Sequence, residues 1–115
     1  MKKKDDSIYL RHILDVINKI EVYTQGINYE NFIKNTLVQD AVIRQIEIIG
    51  EATKRLSFEF RNKYSEIPWK DIAGMRDKLI HDYLGVDIDA VWDTIKKDIL
   101  LLKEEVEEIL KKIKK

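Results

Sequence analysis

Cysteine is absent from this sequence, which excludes disulfide frameworks, thiolate nucleophiles and cysteine-ligated zinc. A single proline and four glycines give too little punctuation for a many-stranded sheet, whose turns recur roughly every 8–12 residues. Charge of one sign is lacking too. Lys and Arg number 21 against 21 Asp and Glu, a formal net charge of zero. No global field therefore steers the chain toward nucleic acid, and any such attraction must be local. No apolar run approaches the roughly 18–20 residues that cross a bilayer, and the charged start Met1-Lys2-Lys3-Lys4-Asp5-Asp6 has no apolar segment behind it. A soluble, cytoplasmic protein without a membrane partner is expected. The two histidines, His12 and His81, belong to no ligand-spaced set. Gly50, Gly74 and Gly85 are too scattered for a phosphate loop, so neither a metal nor a cofactor is expected.

What is present suits helices. Apolar residues make up 44% and charged residues 37% of 115, the latter well above the usual share of about 25% and typical of amphipathic helices with solvated faces. The length fits one domain over residues 1–115. The expected fold class is all-α, an up-and-down bundle of four to five helices. The first helix is predicted over Asp6 to Thr24, where Leu10, Ile13, Ile17 and Ile20 repeat at steps of three and four. Asp5, Asp6 and Ser7 offer capping oxygens, and Gly26 suits the stop. A short turn near Tyr29–Lys34 has Asn28 as its cap. The next helix is expected from Thr36 to about Lys63, with Val42, Ile46, Ile49, Leu56 and Phe60 as its stripe and Thr53 filling the gap. Glycine within a helix costs about 1 kcal/mol relative to alanine, so Gly50 suggests a close helix–helix approach. Pro68 then opens a helix that carries Ile72, Met75 and Leu79 inward and ends around Tyr83–Gly85. The last helix spans about Ile88 to Lys112. Its seam of Trp92, Ile95, Ile99, Leu102, Val106, Ile109 and Ile113 suits a long bundle helix or a coiled-coil contact. The lysine-rich ends read as solvated tails.

Chemistry concentrates in Arg76-Asp77-Lys78-Leu79-Ile80-His81-Asp82-Tyr83. Asp77 and His81 are four apart, neighbours on one helical face, where a carboxylate would favour the imidazolium and orient the ring. Arg76 and Tyr83, seven apart, share another face. Arg76 and His81, five apart, point roughly 140° from each other on an ideal helix. They converge only if the helix ends or distorts near His81, or if two chains place these segments across a shared cleft. The same spacings also describe an ordinary charged helix with Asp77/His81 and Lys78/Asp82 pairs. His12 reads as a surface residue, and Trp69, directly after Pro68, as a packing residue rather than a base-stacking one.

The stretch Trp69-x-x-Ile72-x-Gly74-Met75-Arg76-Asp77-x-Leu79-x-His81-x-Tyr83, with Arg44-Gln45-Ile46-Glu47-Ile48-Ile49-Gly50-Glu51-Ala52 before it and the Trp92 helix after it, resembles HEPN-domain proteins of the HepT type. Asparagine often follows the arginine in that family, and here the slot holds Asp77. The resemblance implies a homodimeric helical bundle acting as a metal-independent ribonuclease toxin on RNA. It also implies a minimal nucleotidyltransferase antitoxin as partner, which attaches AMP to the motif tyrosine, Tyr83. In that scheme His81 is the acid or base and Arg76 stabilises phosphate. Asp77 and Tyr83 support them. The alternative is a non-catalytic helical subunit that binds nucleotide or substrate for a nucleotidyltransferase. A third reading is a structural dimer built on the Trp92–Ile113 seam.

Overall fold

The computed structural model describes residues 5–82 and 85–113, and for His81 and Asp82 the backbone alone. Helix α1 (Asp6–Thr24) begins where the Asp5 carboxylate accepts the Ser7 amide at 3.0 Å and stops before Gly26, whose φ of 74° is a left-handed value that glycine adopts freely. Its Leu10, Ile13, Ile17 and Ile20 are fully buried, each worth about 1.5–3 kcal/mol of transfer free energy. A single turn, α2 (Tyr29–Phe32), is capped by Asn28. Its Phe32 packs on Trp92, with ring centroids 5.1 Å apart. The Tyr29 hydroxyl donates to Asp89, which holds the phenol above its ordinary pKa.

Helix α3 (Thr36–Arg55) packs against α1. Thr53 is fully buried in its stripe and donates its hydroxyl to the Ile49 carbonyl at 2.8 Å. The expected continuation to Lys63 is interrupted. Leu56 is extended (φ −65°, ψ 142°), and Ser57 starts a separate helix, α4 (Phe58–Lys63). Three interactions hold the break. The Asp6 carboxylate accepts both the amide and the hydroxyl of Ser57 at 2.7 Å, and the Ser57 hydroxyl oxygen accepts the Phe60 amide at 3.1 Å. Leu56 and Phe60 remain buried on either side of it.

Pro68 caps α5 (Trp69–Ala73). Trp69 is buried, its ring nitrogen donating to the Tyr64 carbonyl at 3.0 Å, so it is a packing residue. The helix expected to run on to Tyr83–Gly85 is instead broken at Gly74 and ends at Leu79, where α6 (Met75–Leu79) closes. Ile80 is extended (φ −115°, ψ 104°) and begins β1 (Ile80–Asp82), which pairs antiparallel with β2 (Gly85–Val86). The Asp87 amide donates to the Leu79 carbonyl at 2.8 Å and secures that ending.

The last helical rod consists of α7 (Ile88–Asp93), a π-helical turn (Thr94–Asp98) and α8 (Ile99–Ile113). Ile95, Ile99, Leu102, Val106 and Ile109 are all buried within the chain's own core, so most of the seam goes into the bundle rather than a coiled-coil contact. The five expected helical regions are thus present in an all-α bundle, and three of them are interrupted. Among the described residues no helix is long and apolar enough to cross a membrane.

Candidate active site

Arg76 sits in the first turn of α6, between the buried Met75 and Leu79 contacts that anchor this short helix. Its position against α3 follows from Gly50. A Cβ there would lie 2.9 Å from the Ala73 carbonyl oxygen, so only glycine lets the end of α5 approach so closely. The expectation of a close helix approach at Gly50 is met.

The guanidinium is about half exposed, and its Nε pairs with Glu47 Oε2 across the α3–α6 contact. The other Glu47 oxygen, Oε1, lies 3.7 Å from Arg44 Nη1. Asp77 Oδ1 is 3.9 Å from Arg76 Nη1, but that carboxylate is 85% exposed against 29% for Glu47. Water screens the Asp77 pair and leaves Glu47 as the stronger partner. These groups line an open groove of about 240 Å³, with Arg44, Lys54 and Arg76 facing Glu47, Glu51 and Asp77. Three cations and three anions make it a balanced surface, not a basic trough.

The other expected site residues are placed differently. His81 lies in β1, beyond the end of α6, and its side chain is outside the described residues, as is all of Tyr83. Because α6 stops at Leu79, Asp77 and His81 are not i and i+4 neighbours on one helix, and no helical face runs from Arg76 as far as position 83. Ile80 departs from helical geometry, and β-branched residues there suit an extended backbone. The 140° separation between Arg76 and His81 presumed an unbroken helix, and the helix ends between them. His12 is exposed on α1. Glu47 was missed as a site residue. Its only trace in the sequence is its place one helical turn before Gly50, and nothing local pairs it with an arginine 29 positions on.

An all-helical bundle that presents an arginine on a short helix, with a histidine-bearing extended segment directly after it, is the frame on which the sequence pattern rests. A family model described as Ribonuclease HepT-like matches residues 13–109. The chain belongs to that family and is thereby an enzyme of the ribonuclease class. It is 50% identical over 106 residues to a protein named "putative RNase" from Caldanaerobacter subterraneus subsp. tengcongensis, covering 92% of this chain and 95% of that one. A "probable ribonuclease HepT" of Thermococcus cleftensis is 45% identical over 109 residues, 95% of this chain and 99% of its own. A Methanocaldococcus jannaschii protein named "gamma-glutamylcyclotransferase and putative RNase" is 52% identical over 113 residues. That match takes in 98% of this chain and 51% of the relative, so the chain spans about half its length. No solved structure matches the chain.

Proposed function

We propose that this protein is the toxin of a toxin–antitoxin pair and cleaves RNA as a homodimer without a metal ion. The observation that carries this is Arg76, which presents a half-exposed guanidinium beside an open groove and just ahead of the His81 segment, in a chain of the HepT-like ribonuclease family. RNA carries its own nucleophile. In the proposed reaction the 2′-oxygen attacks the adjacent phosphorus, the 2′-hydroxyl proton passes to a base, and the bond from phosphorus to the 5′-oxygen breaks as that oxygen takes up a proton. This leaves a 2′,3′-cyclic phosphate. Histidine, with a reference pKa near 6.5, serves either proton step near neutral pH, and this is the role of His81. Arg76 holds the phosphate and stabilises the extra negative charge of the transition state.

Control comes through Tyr83. A minimal nucleotidyltransferase transfers AMP from ATP to the phenol oxygen and releases pyrophosphate. The added group brings bulk and negative charge into the motif, where RNA phosphate would otherwise bind. Asp77, beside Arg76 and exposed, is a supporting charge.

The test combines cleavage with intact mass. Purified protein incubated with single-stranded RNA and a chelator is expected to yield fragments ending in cyclic phosphate. Arg76→Ala and His81→Ala should each lose about 10²-fold or more in rate. Coexpression with the nucleotidyltransferase should add one or more AMP masses, absent from Tyr83→Phe. Full cleavage by either alanine variant rejects the assignment of the site, and unmodified protein after coexpression rejects the control scheme.

A further inference from the structure

Glu47 and Gly50 stand one turn apart on the face of α3 that receives α5 and α6. We infer that Glu47 is a positioning residue for Arg76, with Gly50 setting the depth at which the arginine-bearing segment docks; this rests on the reading of Arg76 as the phosphate-holding group.

Three observations lead there. The carbonyl oxygens of Ile72 and Ala73 lie 3.7 and 2.9 Å from where a Gly50 Cβ would be, so the end of α5 rests on the α3 backbone itself. Gly74 then turns the chain (φ −99°, ψ 12°), and α6 begins with Arg76 as its second residue. Finally, Glu47 Oε2 lies against Nε of Arg76, in the more enclosed of the two acidic contacts this guanidinium makes.

An arginine stabilises a transition state through donors lying in one plane, and it helps only if that plane is fixed beforehand. The side chain is long and rotamer-rich, and freezing it anew at each turnover would raise the barrier. The ion pair with Glu47 at Nε limits that freedom before substrate arrives, in a side chain that stays about half exposed. Charge is conserved as well. Glu47 also faces Arg44 through its second oxygen, so two guanidinium groups share one carboxylate. The trio keeps one net positive charge within a groove that is balanced as a whole.

Glu47→Ala and Glu47→Gln in the full chain test this. Both kcat and KM are measured on a single-stranded RNA, and the Arg76 Nε–H resonance is followed by NMR in the RNA-free protein. Glu47→Ala is expected to lower kcat about 10- to 100-fold, since small displacements of a catalytic group carry losses of that size. KM should stay within about threefold, and the Nε–H signal should be lost to fast solvent exchange. Glutamine keeps the length of the side chain and a polar oxygen against Nε, so Glu47→Gln should recover most of kcat and the signal. Unchanged or raised kcat in Glu47→Ala would show that Glu47 only competes with phosphate, and would overturn the inference. So would an unaltered Nε–H signal. If the alanine variant fails to fold, the glutamine variant decides: loss of the signal there counts against positioning. Should the wild-type chain leave RNA uncut, the cleavage reading fails, while the NMR signal still reports whether Glu47 fixes Arg76.

Discussion

A lysine at position 76 would keep the charge and lose the geometry, which makes Arg76 the residue where the two can be separated. Lysine has no Nε–H flanked by a planar fork, so it cannot be tied by Glu47 Oε2 and still present parallel donors to a phosphate. Arg76→Lys is therefore expected to bind RNA with nearly the wild-type dependence on salt, because that slope counts charges, and to cleave about 10- to 100-fold more slowly. Single-turnover rates and binding titrations at several salt concentrations check both halves. Equal cleavage by the lysine variant would mean that charge alone is enough. At this scale the sequence was only partly legible. Arg76, His81 and Tyr83 stood out because unlike chemistries were crowded into eight residues. Glu47 did not, because it sits in Ile46-Glu47-Ile48 as one more charge on an amphipathic helix. Its partner lies on a segment that only the tertiary fold brings near.

Elements begin and end here for reasons that the sequence displays unevenly. Local chemistry marked α1 well: Asp5 caps it and Gly26 follows it. The ends of α3 and α6 were not marked, since each depends on a distant partner. Ser57 leaves the helix because Asp6, 51 positions earlier, accepts its amide and hydroxyl. The chain leaves helical geometry at Ile80, which pairs with Val86 in the small hairpin. A stripe of apolar residues continues across such breaks, so periodicity alone reads through them. Gly50 is the exception, where a sequence cost correctly signalled a contact. Alanine there would gain about 1 kcal/mol of helix propensity, but its Cβ would meet the Ala73 carbonyl, a backbone atom that yields only if α5 moves. Overpacking of this kind costs about 1–3 kcal/mol. Gly50→Ala should thus lose about 1 kcal/mol net in denaturant unfolding. Cleavage should fall more than that loss explains, because Arg76 is carried outward with α5 and α6. A more stable, fully active variant would show that the approach is not tight.

For the whole molecule, the number of histidines frames the remaining problem. Each chain has two; His12 is exposed on α1, and His81 alone belongs to the motif. Cleavage needs one proton removed and another delivered. Either water supplies the second role or the His81 of another protomer does. The all-α fold was legible from composition and period, and so was the apolar seam of the last helix, whose choice between bundle and coiled coil only the fold decides. The homodimer is an expectation of the resemblance, and with most of the long seam used inside the bundle a second copy would have to meet another surface. Exposed apolar side chains do remain, among them Leu37, Phe58 and Leu101. A twofold dimer brings the same patch of both subunits together, so a site at its axis would contain both His81 residues. Wild-type protein unfolded and refolded with an equal amount of His81→Ala gives dimers of three kinds in about a 1:2:1 ratio. If each cleavage needs both histidines, only the pure wild-type dimers work, and activity falls to about one quarter of that from an all-wild-type sample of equal total protein. If each site uses one histidine, activity falls only to about one half. Titrating the mutant fraction turns this into a curve, quadratic in the wild-type share for a joint site and linear for independent ones. A linear curve would make water the second proton carrier and leave each protomer with a complete site.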